Sequence, residues 1–258
     1  MLKMNKLDRL LKNKTTNLLS IYFTAGYPKL NDTKEIIDAL EANGADLIEI
    51  GIPFSDPVAD GPVIQFSNSA ALENGMCLKK LFEQLKPKNN ESRIPKIMMG
   101  YFNPVFQFGV EEFCKECSTS GIDGIIIPDL PLNEFESSYK SIFNKYNIHF
   151  IFLVTPQTSI ERLRKIDKVS TSFIYAVSTN STTGGVADFK TQEEYFKRLK
   201  DTISKPFLIG FGVKDKSTFH AACNYANGAI IGSSFITAIA ETGVLKEKIR
   251  NFIHQIKN

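Results

Sequence analysis

Eight times along this chain a short, β-branched and continuously apolar run is followed by a longer amphipathic segment. Strands that stay apolar along their whole length belong to parallel sheets covered on both faces, because a half-exposed strand alternates with polar residues. The eight predicted strands are Leu18–Thr24, Asp46–Gly51, Lys96–Gly100, Gly124–Ile127, His149–Val154, Phe173–Val177, Pro206–Ile209 and Gly228–Ile231. Helical spacing of apolar residues marks Asp32–Asn43, Val110–Ser120, Leu132–Tyr146, Ile160–Lys168, Gln192–Thr202, Ser217–Ala226 and Ser234–Ile256. Gly44 and Gly121 fall just past helix ends, where glycine terminates a helix at no steric cost. The phrases Asn43-Gly44-Ala45-Asp46, Ser120-Gly121-Ile122-Asp123 and Asn227-Gly228-Ala229 form a weak internal repeat of the unit. The expectation is a single α/β domain over residues 1–258, a (β/α)8 TIM barrel. An extra N-terminal helix places Leu7, Leu10 and Leu11 on one side. An open doubly wound sheet is the rival, but no G-x-G-x-x-G follows the first strand.

The charge balance is slight, with 31 Lys and Arg against 28 Asp and Glu, and the basic residues are scattered. Neither a nucleic-acid partner nor a membrane partner is expected from it, and no apolar run reaches the length of a membrane span. The first 14 residues lack the apolar core of a signal peptide. Four cysteines, Cys77, Cys114, Cys117 and Cys223, are too few for a disulfide framework in a chain of 258 residues. A reduced, cytoplasmic compartment is the expectation.

A barrel carries its chemistry at the carboxyl ends of its strands and in the loops after them. The second strand reads Asp46-Leu47-Ile48-Glu49-Ile50-Gly51. Alternation puts Leu47, Glu49 and Gly51 on one face, so Glu49 is an ionisable group within an apolar strand. It is open to two readings: a structural carboxylate satisfied by a neighbour, or a carboxyl tuned by desolvation for acid–base work. The loop that follows, from Ile52 to Pro62, holds three prolines and a glycine in eleven residues and is therefore stiff. Asp60 within it reads either as the N-cap of a helix beginning at Pro62 or as a second carboxylate over the barrel mouth.

Three late segments are rich in small residues: Ser178–Gly185, Gly210-Phe211-Gly212 and Gly232-Ser233-Ser234. Glycine lets the backbone approach a ligand closely, and a helix N-terminus offers free N–H groups. Loops after the seventh and eighth strands form the common phosphate site of this fold. No P-loop is present. The histidines His149, His220 and His254 form no ligand pattern, and Cys114-x-x-Cys117 lies in a helical stretch without a second pair. No metal is expected. No lysine stands out at an apolar strand end as a Schiff-base carrier.

The segment Glu49-Ile-Gly-Ile-Pro-Phe-Ser-Asp-Pro-Val-Ala-Asp-Gly-Pro62 closely resembles the signature of the tryptophan synthase α subunit family. The resemblance runs from Tyr22-Phe23-Thr24-Ala25-Gly26-Tyr27-Pro28 through Gly100-Tyr101-Phe102-Asn103-Pro104, Pro128-Asp129-Leu130-Pro131 and Tyr175-Ala176-Val177-Ser178 to Gly228-Ala229-Ile230-Ile231-Gly232-Ser233. It implies a carbon–carbon lyase that splits indole-3-glycerol phosphate into indole and glyceraldehyde 3-phosphate without a metal or organic cofactor. By the same resemblance Glu49 is the general acid/base and Asp60 faces the indole N–H. Gly184, Gly212, Gly232 and Ser233 map onto the phosphate binders. Tyr22, Ile64, Met99, Tyr101, Ile126, Leu153, Tyr175, Phe211 and Ile230 map onto the indole pocket, each with ordinary barrel core as its alternative. Thr183 belongs to the family's mobile lid, where this sequence departs: Thr179 and Ser181 replace an Arg and a Gly. Tyr22 stands where many relatives have Phe. The resemblance also implies a partner, a β subunit that holds pyridoxal phosphate in an αββα assembly. Pro53, Asp56, Pro57, Asn103, Pro104 and Pro131 map onto the contact surface. Two alternatives stand beside it: another phosphate-binding barrel enzyme, which calls for metal-binding histidines or a strand-end lysine, and a regulatory barrel without catalysis.

Overall fold

The chain is described by a computed structural model covering residues 4–86, 92–178 and 189–258. Its strands are β1 (Leu18–Thr24), β2 (Leu47–Gly51), β3 (Lys96–Met99), β4 (Gly124–Ile126), β5 (His149–Phe150), β6 (Leu153–Val154), β7 (Ile174–Val177), β8 (Phe207–Gly210) and β9 (Gly228–Ile231). All pair in parallel, in the order β5-β4-β3-β2-β1-β9-β8-β7-β6. The two ends of that order are one predicted strand interrupted for two residues. The Ile151 N–H donates to Ile125 O on the β4 side at 2.9 Å, and Phe152 O accepts from Tyr175 N on the β7 side at 2.9 Å. The sheet thus closes on itself as the eight-stranded barrel expected from the repeat.

Strand alternation sorts the apolar residues into two layers. Leu18, Leu47, Ile97, Ile126, Ile151, Phe173, Leu208 and Ile230 fill the barrel interior. Leu19, Ile21, Ile48, Ile50, Met98 and Ile125 point outward against the helices. The helix Lys6–Asn13 closes the amino-terminal end of the barrel. Asn5 and Asp8 form a reciprocal cap at its start, and Leu7 beneath it is fully buried in the interior cluster. Asn5 Nδ2 and the Lys6 N–H donate to Asp123, the residue before β4, both at 3.0 Å. With the amino-terminal end of the interior plugged, the open mouth among the described residues is at the carboxyl ends of the strands.

The helices depart from expectation at identifiable places. Predicted Ser234–Ile256 is two helices, Ser233–Ala240 and Leu245–Lys257, separated at Gly243, whose φ of 121° no helix accommodates. Predicted Leu132–Tyr146 contains a π turn at Phe135–Tyr139. Three further helices, Pro62–Glu73, Leu78–Leu85 and Phe102–Phe108, escape the periodicity argument. The first hides because its pattern is inverted: Ser67 and Asn68 face inward while Phe66 is 65% exposed. Cys114 and Cys117 lie on the buried side of the helix Val110–Thr119, where burial pushes the Cys114 thiol up to about 12. That thiol is therefore uncharged and inert at neutral pH.

Candidate active site

Glu49 sits on the inner face of β2, paired in register with Tyr22 of β1 and Ile97 of β3. Its side chain is fully buried. The Ser20 hydroxyl donates to Oε1 at 2.8 Å, and Oε2 is buried without a hydrogen-bond partner among the described residues. Burial raises its carboxyl from 4.5 to about 7, partly offset by the Ser20 bond. A carboxyl poised there can both give and take a proton near neutral pH. An unpartnered buried carboxylate oxygen is costly in a folded protein and marks a place where a ligand atom belongs.

Asp60 reaches the same mouth from the loop after β2. Gly61, not Asp60, occupies the N-cap position of the helix Pro62–Glu73, with Pro62 at its first position. The carboxylate is instead held by Tyr101, whose hydroxyl donates to Oδ2 at 3.3 Å and accepts from the Ala59 N–H at 3.1 Å. Phe54 stacks on Tyr101 with ring centroids 5.0 Å apart, and the Phe54 N–H donates to Asn68 Oδ1 at 3.0 Å. Burial raises Asp60 to about 6, against the lowering effect of Tyr101.

Two adjoining cavities open at this end of the barrel. The larger, about 210 Å³, gathers Tyr22, Asp60, Ile64, Met99, Tyr175, Phe211 and Ile230 with Gly212, Gly232 and Ser233. The smaller, about 50 Å³, shares Tyr22, Asp60, Met99 and Phe211 with it and adds Tyr101 and Leu153. Ile126 lies below both, fully buried in the barrel interior, and Glu49 lines neither. Glu49 is nonetheless close enough for its charge to act on the buried phenols of Tyr22 and Tyr175, both raised chiefly by burial.

Both phenols lean over glycines. A Cβ on Gly51 would lie 2.2 Å from the Tyr22 hydroxyl oxygen, and one on Gly210 2.0 Å from that of Tyr175. Phe211 adopts φ 69°, in the left-handed region that a bulky residue rarely enters. Its carbonyl accepts from the Ser178 hydroxyl at 2.9 Å, which holds the strained turn in place.

One end of the larger cavity is formed by Gly212, Gly232 and Ser233, with the helix Ser233–Ala240 starting there. The first N–H groups of a helix lack intrahelical acceptors and carry its positive dipole end. Sequence reasoning missed two side chains that join them, Lys214 and Ser234; the Ser234 hydroxyl is buried without a partner among the described residues. It missed Ser20 and Asn68 too. Ser20 was legible, being a polar residue on the same face of an apolar strand as Tyr22. Gly184 and Thr183, together with Thr179 and Ser181, lie outside the described residues.

The residues Pro53, Asp56, Pro57, Asn103, Pro104 and Pro131 lie after β2, β3 and β4, at one side of the mouth. Asp56, Asn103 and Pro131 are exposed and Pro104 half-buried, whereas Pro53 and Pro57 are buried within the chain itself. Val58 and Phe106 in the same segments are 87% and 56% exposed. Among the described residues no cluster of three His, Cys, Asp or Glu has metal-site geometry, and no helix is long and apolar enough to cross a membrane.

The family model described as tryptophan synthase alpha chain matches residues 8–257. The tryptophan synthase alpha chain of Flavobacterium johnsoniae is 52% identical over 256 residues, covering 98% of this chain and 100% of the relative. That of Bacteroides thetaiotaomicron is 50% identical over 240 residues, covering 92% and 94%. Among solved structures, tryptophan synthase subunit alpha from Legionella pneumophila superposes with a TM-score of 0.90 at 29% identity, covering 98% and 97%. The tryptophan synthase A-subunit of Pyrococcus furiosus superposes with a TM-score of 0.85 at 35% identity, covering 94% and 98%. A family model spanning nearly the whole chain, near-full-length relatives at half identity and a shared barrel make this chain a member of the tryptophan synthase alpha chain family.

Proposed function

We propose that Glu49 and Asp60 carry out the retro-aldol cleavage of indole-3-glycerol phosphate to indole and glyceraldehyde 3-phosphate, the lyase activity of the family. The observation that carries this reading is the state of Glu49: fully buried, raised to about 7, and with one carboxylate oxygen unpartnered among the described residues. In its protonated form Glu49 gives a proton to indole C3, which turns the ring into a cation. The resulting carboxylate takes the proton from the glycerol hydroxyl on the adjoining carbon. The carbon–carbon bond breaks as that oxygen becomes the aldehyde, and the bond's electrons return to the ring. One proton is given and one taken, so Glu49 ends as it began. Asp60 accepts the indole N–H and stabilises the ring cation, an effect strengthened where water is excluded. The chemistry needs no metal or organic cofactor.

The apolar walls formed by Tyr22, Ile64, Met99, Tyr175, Phe211 and Ile230 suit a planar indole, with Tyr101 and Leu153 beside it. The phosphate belongs at Gly212, Gly232 and Ser233; Gly184 and Thr183 are assigned to it by the family resemblance alone. Lys214 and Ser234 add a cation and a hydroxyl donor there. The partner is a β subunit carrying pyridoxal phosphate, joined as αββα and working in the cytoplasm. Asp56, Asn103, Pro104 and Pro131, next to exposed Val58 and Phe106, offer it the docking rim, while Pro53 and Pro57 hold the loop's shape. The test is indole release by the wild type, Glu49→Gln and Asp60→Asn. Each substitution is expected to slow release at least about a hundredfold; a rate within a few-fold of wild type for either removes that carboxylate from the mechanism.

A further inference from the structure

We propose that Ser20 is a positioning residue for this reaction: its hydroxyl pins one carboxylate oxygen of Glu49 and leaves the other for the substrate. The proposal rests on the reading of Glu49 as the acid/base. Ser20 is itself fully buried, on the inner face of β1 and one layer deeper than Tyr22. Its hydroxyl is 2.8 Å from Oε1, the single hydrogen bond that the carboxylate makes among the described residues. Oε2 is just as buried and has no partner. A glutamate has three side-chain torsions, and packing alone does not decide how its terminal carboxylate is turned. The directional bond from Ser20 to Oε1 orients that carboxylate and so biases where Oε2 lies.

The same bond biases the protonation equilibrium, because a hydroxyl donor favours the ionised carboxylate. Among the described residues, the titratable groups that act on Glu49 or are acted on by it are few. Tyr22 comes from β1 and Tyr175 from β7; the β3 neighbour, Ile97, is apolar. Neither phenol is a cation. Burial and the Ser20 bond are the two influences on its titration, and they oppose each other. Ser20 therefore acts as a counterweight that keeps a deeply buried carboxyl usable near neutral pH.

The experiment compares Ser20→Ala with Ser20→Thr, which keeps the hydroxyl, in the full chain. In Ser20→Ala the Glu49 inflection of the kcat/KM profile is expected to rise by about one pH unit, the effect of losing one hydrogen bond to a charge. Its kcat at neutral pH falls about tenfold while KM stays within twofold, since Ser20 touches no substrate. Ser20→Thr restores both. Infrared titration of the Glu49 carboxyl, isolated by difference from Glu49→Gln, reads the same shift without substrate. A moved titration together with a wild type that releases no indole keeps the role of Ser20 and removes the proposed chemistry. A folded Ser20→Ala whose titration and profile stay put overturns the proposal. Ser20→Cys, close in size and a weaker donor, is expected to shift part of the way; an unmoved titration in it overturns the proposal even if Ser20→Ala does not fold.

Discussion

Gly210→Ala places a methyl group where the Tyr175 ring already is. The added Cβ would stand 2.0 Å from the hydroxyl oxygen, 2.2 Å from Cζ and 2.3 Å from Cε1, all well inside contact distance. The clash is with the ring and not with a flexible tip, so removing the hydroxyl alone cannot relieve it. The ring cannot swing out freely, because Tyr175 is 4% exposed and meets Phe211 edge-on at 6.2 Å. The φ of Gly210 is not in the left-handed region, so the whole penalty is overpacking. Such a penalty is typically about 1–3 kcal/mol, and in a domain of this size each kcal/mol lowers Tm by roughly 2–4 °C. A fall of about 2–12 °C is therefore expected, with weaker substrate binding because Tyr175 and Phe211 wall the cavity. The assay is a double-mutant cycle by thermal and urea unfolding with Tyr175→Leu, whose shorter side chain vacates the space. Gly210→Ala should cost at least about 1 kcal/mol less in the Tyr175→Leu background. A Gly210→Ala protein with unchanged Tm, or a penalty equal in both backgrounds, refutes the steric account.

Three further outcomes follow from the site. Glu49 in the folded chain holds a proton that the unfolded chain releases from pH 4.5 upward, until about 7. Its ionisation therefore subtracts stability as pH rises through that window. Glu49→Gln should be more stable than wild type at pH 8 by up to about 3 kcal/mol and equal to it at pH 4, as unfolding across pH will read. Tyr101→Phe removes the donor to Asp60 and the acceptor of Ala59 N–H. It should raise the Asp60 titration and cut indole release about tenfold; an unchanged rate would detach Tyr101 from catalysis. Lys214→Ala should raise KM for the phosphorylated substrate about fivefold with kcat unchanged, an effect that shrinks as salt is added.

Local chemistry specified much of the molecule. The run of apolar strands between amphipathic segments called for a parallel sheet covered on both faces, with a closed barrel ahead of an open doubly wound sheet, and β1 and β9 begin and end where the residue pattern places them. The same alternation put Glu49 inside. Its meaning stayed open because burial is a property of all the strands around it. Only the closed barrel removes water from the carboxyl, sets Ser20 against one oxygen and leaves the other bare. Asp60 shows the same division. Its sequence neighbours Gly61 and Pro62 suit a cap, yet the cap falls to Gly61 and the carboxylate turns to Tyr101, 41 residues away. The inverted helix Pro62–Glu73 was hidden for a related reason: Ser67 is buried because Thr24 lies 2.6 Å from it, a partner brought by β1. The spacing of apolar residues was enough to decide which elements form and which faces they bury, since burying them dominates the free energy of each unit. Which buried polar group meets which partner depends on contacts between segments far apart in the chain, and those exist only once the barrel has closed.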